Sequence, residues 1–104
     1  MAVARTVVES AAVSQAIDAE VQKHSGLEDL YRGIQWRICR EPEIGYPVPG
    51  TNPPLSVVRA FGWAKYPGEV VVAYSHDDNE VVLHGIRFDY PASNALRLSA
   101  AKSA

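Results

Sequence analysis

The stretch that decides the fold is Glu69-Val70-Val71-Val72-Ala73-Tyr74-Ser75. Continuous β-branched side chains are typical of strands buried on both faces, so this stretch predicts the central strand of a sheet. Residues 76–79, His-Asp-Asp-Asn, predict a turn, and residues 80–88 predict a returning strand. The two strands therefore form a hairpin, whose turn fixes which residues pair.

The region that precedes this hairpin begins with a predicted strand and a predicted helix. The short β-branched run Val3–Val8 predicts the strand. Ser10 follows, and its hydroxyl can accept a backbone N–H from the first turn of a helix. Apolar side chains then recur every four residues, at Val13, Ile17 and Val21. This helix is expected to bury one narrow apolar stripe.

A second helix is predicted to follow at once. Ser25 and Glu28 match a capping box, with serine at the cap and glutamate at the third helical position. One face carries the apolar residues Leu27, Leu30, Tyr31, Ile34 and Ile38. Glu28 and Arg32 lie one turn apart on the other face and predict an ion pair. Pro42 ends the helix, because the residue before a proline is forced out of the helical conformation.

The segment between the helices and the hairpin is rich in proline. Five of the seven prolines lie within residues 42–54, which predicts a stiff and irregular connection. Residues 55–61 then predict a strand, and residues 62–68 interrupt it. The resulting order is β-α-α-β-β-β, so we expect an α+β fold in which a single antiparallel-rich sheet packs against an N-terminal helical hairpin. Residues 1–90 form one domain, and the Ala- and Ser-rich residues 91–104 predict a frayed helix or a disordered tail.

Composition narrows the functional classes. The 104 residues carry 10 Lys and Arg against 12 Asp and Glu, a net charge of −2, which excludes a generic basic nucleic-acid coat but not a local basic patch. The single cysteine, Cys39, excludes an internal disulfide and a cysteine-cluster zinc site. No apolar run is long enough to cross a bilayer, and the first residues lack the apolar core of a signal peptide, so we expect a cytoplasmic protein.

The element order and several stretches together resemble the RelE/ParE superfamily of toxins from bacterial type II toxin–antitoxin (plasmid stabilisation) systems. The stretches are Leu55–Arg59, Gly68–Tyr74, the turn Asp77–Asn79, Val81–Arg87 and the helix end Trp36–Ile38. The resemblance covers roughly residues 3 to 90. It rests on apolar strands with scattered basic residues and not on an invariant catalytic motif.

The resemblance implies one of two activities. RelE-like members cut mRNA in the decoding site of the ribosome, and ParE-like members share the fold but inhibit DNA gyrase without nuclease chemistry. Members of both branches are silenced by a small cognate antitoxin that wraps around the toxin. RelE-type cleavage uses basic groups on a concave sheet face, so neither a metal ion nor another cofactor is expected.

Four residues match the family's functional positions. Arg87 matches the basic residue on the final strand, and Tyr90 matches the aromatic residue that follows it. Arg59 and Lys65 match, more loosely, the basic residues on and after the second strand. Cleavage requires activation of a 2′-hydroxyl, stabilisation of negative charge and protonation of the 5′-oxygen. The alternative for each residue is a solvated side chain at a strand edge.

Alternation along the last strand predicts which side chains face the helices. One face carries Val82, Ile86 and Phe88, and the other carries Val81, Leu83, Gly85 and Arg87. If the first face packs on the helices, Arg87 points to the open face, where RNA would lie. His84 alternates with Val82 and Ile86 and is therefore expected to point inward, although a bulge at Gly85 would reverse it.

Other chemistry-bearing residues point to no second site. His76 lies beside Asp77 and Asp78, which favours a solvated hairpin tip over a metal site. Cys39 has no histidine at helical spacing, and no nucleophile–base spacing in the sequence indicates a hydrolase.

A rival interpretation comes from the charges. Glu69 stands where many members of the family have a basic residue, and the net charge is low for a protein that binds the ribosome. These features favour a non-catalytic interaction domain that kept the fold. A homodimer through an open sheet edge or through the helical hairpin would fit that role.

Overall fold

The computed structural model describes residues 4–61 and 66–89. Their elements are β1 (Thr6–Glu9), α1 (Ala11–Lys23), α2 (Leu27–Arg40), a one-turn 3-10 helix (Pro42–Ile44), β2 (Tyr46–Val48), β3 (Leu55–Phe61), β4 (Glu69–His76) and β5 (Glu80–Asp89). The predicted α+β class is confirmed. Lys65, Tyr90, the start of the predicted first strand and the predicted tail over residues 91–104 lie outside the described residues.

The five strands form one mixed sheet in the order β1-β5-β4-β3-β2. Strand β1 runs parallel to β5, and every other neighbouring pair is antiparallel. The sequence correctly placed β4 at the centre and paired it with β5 as a hairpin. Strand β1 begins at Thr6, so Ala4 and Arg5, which the prediction included, are not part of it.

The hydrophobic core lies between the two helices and one face of this sheet. The helices contribute Val13, Ile17, Leu27, Tyr31, Ile34 and Ile38, and the central strands contribute Val70, Val72, Tyr74, Val81 and Leu83. The apolar stripes predicted for α1 and α2 are therefore the buried ones. The expectation that the valines of β4 are buried on both faces was wrong, because neither α1 nor α2 covers the second face and Val71 is only partly buried.

A β-bulge interrupts the pairing of β4 with β5. Tyr74 lies opposite Leu83, whereas its neighbour Ala73 lies opposite Gly85, so His84 is an extra residue in β5. The side-chain alternation changes parity at this point. Val81 and Leu83 face the helices before the bulge, and after it the helix-facing residues are Ile86 and Phe88. The prediction that Val81 and Leu83 share a face with Arg87 was therefore wrong.

The ends of the helices agree with the sequence in part. The Ser10 hydroxyl accepts the backbone N–H of Val13 at 3.3 Å, as predicted. The capping box at Ser25 was wrong, since Gly26 occupies the cap position and provides no side-chain bond. Glu28 is held instead by the predicted ion pair, with its Oε1 2.7 Å from an Arg32 nitrogen. Helix α2 ends at Arg40, just before the proline that was expected to stop it.

The proline-rich segment contains a strand that the sequence did not reveal. Residues 46–48 form β2 and pair with residues 55–57 of β3. Pro47 is tolerated there because β2 is an edge strand. Thr51 closes the turn, since its hydroxyl accepts the Leu55 N–H at 2.8 Å and donates to the Val48 carbonyl at 3.0 Å.

Three buried tyrosine hydroxyls tie the layers together. Tyr31 on α2 donates to Glu9 on β1, and Tyr66 donates to the Glu20 carboxylate on α1 at 2.6 Å. Tyr74 donates to the Pro42 carbonyl at 2.6 Å. Burial raises the pKa of each phenol, and the neighbouring carboxylates raise the pKa values of Tyr31 and Tyr66 further.

Neither of the two described helices has the length and apolar content to cross a membrane.

Candidate active site

The face of the sheet that points away from the helices, called the open face here, carries the candidate site. Its exposed apolar side chains include Val8, which is 39% exposed, Phe61, which is 52% exposed, and Tyr46, which is 77% exposed. Large exposed apolar residues on one face are typical of a surface that contacts something else.

Two of the predicted residues share one row of the open face. Arg59 of β3 and Arg87 of β5 both pair with Val71 of β4, one on each side. Adjacent strands lie about 4.8 Å apart, so the two arginine Cα atoms are about 10 Å apart. Both side chains are exposed. The pair can therefore place two guanidinium groups on one anionic group that lies above Val71.

The two arginines differ in their neighbours. Arg87 is 62% exposed at its side chain and lies with its Nη2 3.1 Å from an Asp89 carboxylate oxygen. The Arg87 Nε donates to the same oxygen at 3.1 Å. Arg59 has no ion-pair partner among residues 4–61 and 66–89. Arg59 is therefore the more available of the two charges, and Arg87 is the more firmly oriented.

Next to the arginine row the open face has a floor of small residues. Ala73 and Gly85 pair across β4 and β5, two residues along from Val71, which is about 6.7 Å. A Cβ atom built on Gly85 would meet nothing within 4 Å. We call this region the saddle. Ala73 and Gly85 form its floor, the arginine row lies at one end, and Ser75 and His84 lie at the other.

The other end of the saddle holds a serine and a histidine. The Ser75 Oγ and the His84 Nε2 are 2.7 Å apart, a hydrogen bond in which the tautomer of the ring decides the donor. His84 is exposed, so the prediction that it faces the core was wrong. The bulge separates His84 from Ile86, and strict alternation between them does not hold.

Ser75 is the functional candidate that the sequence analysis missed. It lies nine positions before His84, and only the hairpin pairing brings the two side chains together. A trace of the bulge is visible in the sequence, however. The core-type residues occupy odd positions at Val81 and Leu83 and even positions at Ile86 and Phe88, and Gly85 lies where the parity changes.

The turn between β4 and β5 is an exposed hairpin tip, as predicted. The Asp77 carboxylate accepts the backbone N–H groups of Asn79 at 2.7 Å and of Glu80 at 2.8 Å. These two bonds lower the pKa of Asp77. Within the part of the chain that the structure describes, no group of three or more His, Cys, Asp or Glu side chains could hold a metal ion.

One edge of the sheet is only partly covered. Strand β2 pairs with residues 55–57 of β3, and residues 58–60, which pair with β4 on their other side, have no described strand on this side. A cleft of about 390 Å³ lies along this edge. Its walls carry Arg37, Tyr46, Arg59 and Glu69, the last of which is 7% exposed.

No protein family matches this chain, and neither the curated proteins nor the solved structures include a significant match. Function therefore has to be inferred from the side chains themselves. Those of the saddle offer two fixed positive charges, one imidazole and one hydroxyl around an open floor. This set can bind an anionic group and can move a proton beside it.

Proposed function

We propose that the protein is the toxin of a type II toxin–antitoxin system and that it cleaves mRNA on its open face without a metal ion. The observation that carries the proposal is the saddle, where Arg59 and Arg87 face His84 across the open floor over Gly85. The resemblance to RelE-like toxins, which rests on sequence, points to the same face. The protein would then act in the cytoplasm, where ribosomes carry mRNA.

The cleavage step follows from the positions of these groups. A phosphodiester over the floor would lie within reach of both arginines and of the imidazole. Each end of the saddle is only about 6.7 Å along the strands from the Ala73–Gly85 floor. His84 takes the proton of the 2′-hydroxyl as its oxygen bonds to phosphorus. The bond from phosphorus to the 5′-oxygen breaks, which leaves a 2′,3′-cyclic phosphate. Arg59 and Arg87 stabilise the extra negative charge of the transition state.

The remaining predicted residues have roles that follow from the resemblance alone. Tyr90 would give a proton to the departing 5′-oxygen, and Lys65 would add a third positive charge. The net charge of −2 makes general attraction to RNA weak, so positioning of the mRNA by the ribosome is part of the proposal. An antitoxin would silence the protein by covering the apolar residues around the saddle.

Inducible expression in a bacterium tests this proposal. The wild-type chain should arrest growth and yield mRNA cut within codons, and Arg59→Ala and Arg87→Ala should each lower cleavage about 10²–10³-fold. Arg32→Ala is the matched control, because it removes an exposed arginine on the helix layer. Growth arrest with loss of DNA supercoiling and intact mRNA would identify a gyrase inhibitor instead.

A second candidate function is a non-catalytic interaction domain. The uncovered edge at residues 58–60 and the exposed Tyr46 and Phe61 beside it favour this alternative. An extended chain can add a strand at such an edge through backbone hydrogen bonds. Normal growth at high expression, together with a stable dimer by light scattering, would support this function against the toxin.

A further inference from the structure

We propose that Ser75 and His84 form a nucleophile–base pair that accepts the acyl group of small neutral esters bound in a neighbouring cleft. This inference goes beyond RNA cleavage, because it requires Ser75 and neither Arg59 nor Arg87, although His84 is the base in both reactions. It rests on the Ser75–His84 hydrogen bond and on an apolar cleft that reaches the same serine.

The first support is the geometry of the pair. A serine hydroxyl becomes nucleophilic when a base lies within hydrogen-bond reach, about 2.6–3.2 Å, and the distance from Ser75 Oγ to His84 Nε2 is 2.7 Å. Ser75 is partly buried on the central strand, which restricts its position. The backbone just before His84 is also held, since the Ser10 N–H donates to the Leu83 carbonyl at 3.1 Å.

The second support is the cleft beside the serine. Ser75 lines a cleft of about 500 Å³ whose apolar wall includes Pro47, Pro53, Leu55 and Val82. Clefts of about 300–1,000 Å³ are typical of small-molecule sites. Ser75 thus lies between its base on one side and a space for an acyl chain on the other.

The charges at the rim of this cleft select the class of substrate. Three ionisable side chains line the cleft: the carboxylates of Asp77 and Glu80 and the imidazole of His76. Two carboxylates disfavour a free carboxylic acid or a phosphate ester. A neutral ester with a short acyl chain satisfies both the apolar wall and the acidic rim.

The chemistry is a balanced acyl transfer. His84 Nε2 takes the proton of Ser75 as Oγ bonds to the carbonyl carbon of the ester. The bond from that carbon to the alkoxy oxygen then breaks, and the departing alcohol takes the proton from the imidazolium. Water later attacks the acyl-serine with His84 as base, which releases the acid and restores the hydroxyl.

The hydrolysis of the acyl-serine is expected to be slow. Among residues 4–61 and 66–89, no carboxylate contacts the other ring nitrogen of His84, so the imidazolium lacks the support found in a catalytic triad. The acyl-enzyme should therefore accumulate. The signature is a burst of released alcohol followed by slow turnover.

The full chain with p-nitrophenyl butyrate provides the test. We expect a nitrophenolate burst stoichiometric with the protein and a butyryl group mapped by mass spectrometry to Ser75. Ser75→Ala should remove the burst and the adduct, and His84→Gln should slow acylation about 10²–10⁴-fold. Ser14→Ala is the matched control, because Ser14 is also partly buried but lies on α1. It should behave like the wild type.

The readouts also separate loss of chemistry from loss of fold. Circular dichroism should be unchanged in Ser75→Ala, and Ser75→Cys should restore an acyl adduct at the same position. A butyryl group on any other residue, or a burst that survives in folded Ser75→Ala, would overturn the proposal. The absence of a burst in the wild-type chain would overturn it as well.

Discussion

At the scale of single residues, two tyrosine–carboxylate pairs join the helices to the rest of the fold. Glu20 on α1 is 7% exposed and accepts the Tyr66 hydroxyl, and Glu9, which is exposed at the end of β1, accepts the hydroxyl of the buried Tyr31. A buried carboxylate is tolerated only when it has hydrogen-bond donors. These pairs therefore constrain where the helices sit on the sheet, in addition to the apolar packing.

The Tyr66–Glu20 pair gives a prediction about stability. Tyr66→Phe keeps the buried ring but removes the donor from a buried acceptor, which should lower the free energy of unfolding by about 1–3 kcal/mol. Urea denaturation at neutral pH measures the loss. Tyr46→Phe removes a hydroxyl from a side chain that is 77% exposed and should change nothing. Equal stability of the two variants would show that the Tyr66 bond does not hold the layers together.

The sequence does not disclose these pairs, for a physical reason. Glu20 and Tyr66 are 46 positions apart, and their contact depends on how α1 packs on the sheet. The same applies to Ser75, whose partner His84 is found only across the hairpin. Arg59 and Arg87 could be predicted as candidates because they match basic positions of the resembled family, whereas the row that they form across Val71 depends on the pairing of three strands.

At the scale of secondary structure, the bulge in β5 shapes both faces of the sheet. It lets Leu83 and Ile86 pack on the helices although they are three positions apart, and it turns His84 and Gly85 to the open face. A strand without the extra residue would direct Ile86 or Leu83 to solvent. The core and the candidate site therefore depend on the same irregularity.

The floor of the saddle can be filled to test its role. Gly85→Val should fold, because no atom lies within 4 Å of the new Cβ and β-branched residues suit strands. The valine should nevertheless abolish RNA cleavage by occupying the space above the floor. Cleavage assays with folded protein measure this.

The control for this change is a glycine elsewhere. Gly33 on α2 is exposed and also has nothing within 4 Å of an added Cβ. Gly33→Ala should leave cleavage unchanged and raise stability by up to about 1 kcal/mol, because alanine is the better helix former. A Gly85→Val variant that cleaves RNA like the wild type would remove the saddle as the site.

Local patterns explain which elements could be predicted. Helix α2 was predicted because its apolar residues recur with helical periodicity. The hairpin was predicted because a recognisable turn separates the apolar runs of β4 and β5. Strand β2 has three residues, one of them Pro47, and exists because β3 offers it a partner. The bulge likewise results from packing both halves of β5 on the same helices, and its trace in the sequence is the change of parity in the apolar pattern at Gly85.

At the scale of the whole molecule, the low charge determines how the protein can contact RNA. A net charge of −2 gives little general attraction to RNA, and the saddle offers only Arg59 and Arg87 among the described residues of the open face. Binding should therefore depend on a few phosphate contacts and on apolar contact with bases.

This gives a prediction for the effect of salt. With two phosphate contacts, the logarithm of the affinity for single-stranded RNA should fall with the logarithm of the salt concentration with a slope of about −1.4. Arg59→Ala should reduce the slope to about −0.7. Fluorescence anisotropy with a short 2′-O-methyl RNA, which cannot be cleaved, measures both values. A slope several times steeper would indicate a basic surface other than the saddle.

The parallel pairing of β1 with β5 also determines when the sheet can be completed during folding. The contact between Ser10 and His84 spans 74 positions, so a long loop must close before the first strand gains its neighbour. Domains that mix helices with such distant strand pairings fold more slowly than helical bundles. While the chain is being synthesised, the helical hairpin emerges with an apolar stripe that has no sheet to pack on. The bulge, and with it the saddle, forms only after β5 has been made, so the proposed site cannot assemble before synthesis has passed Asp89.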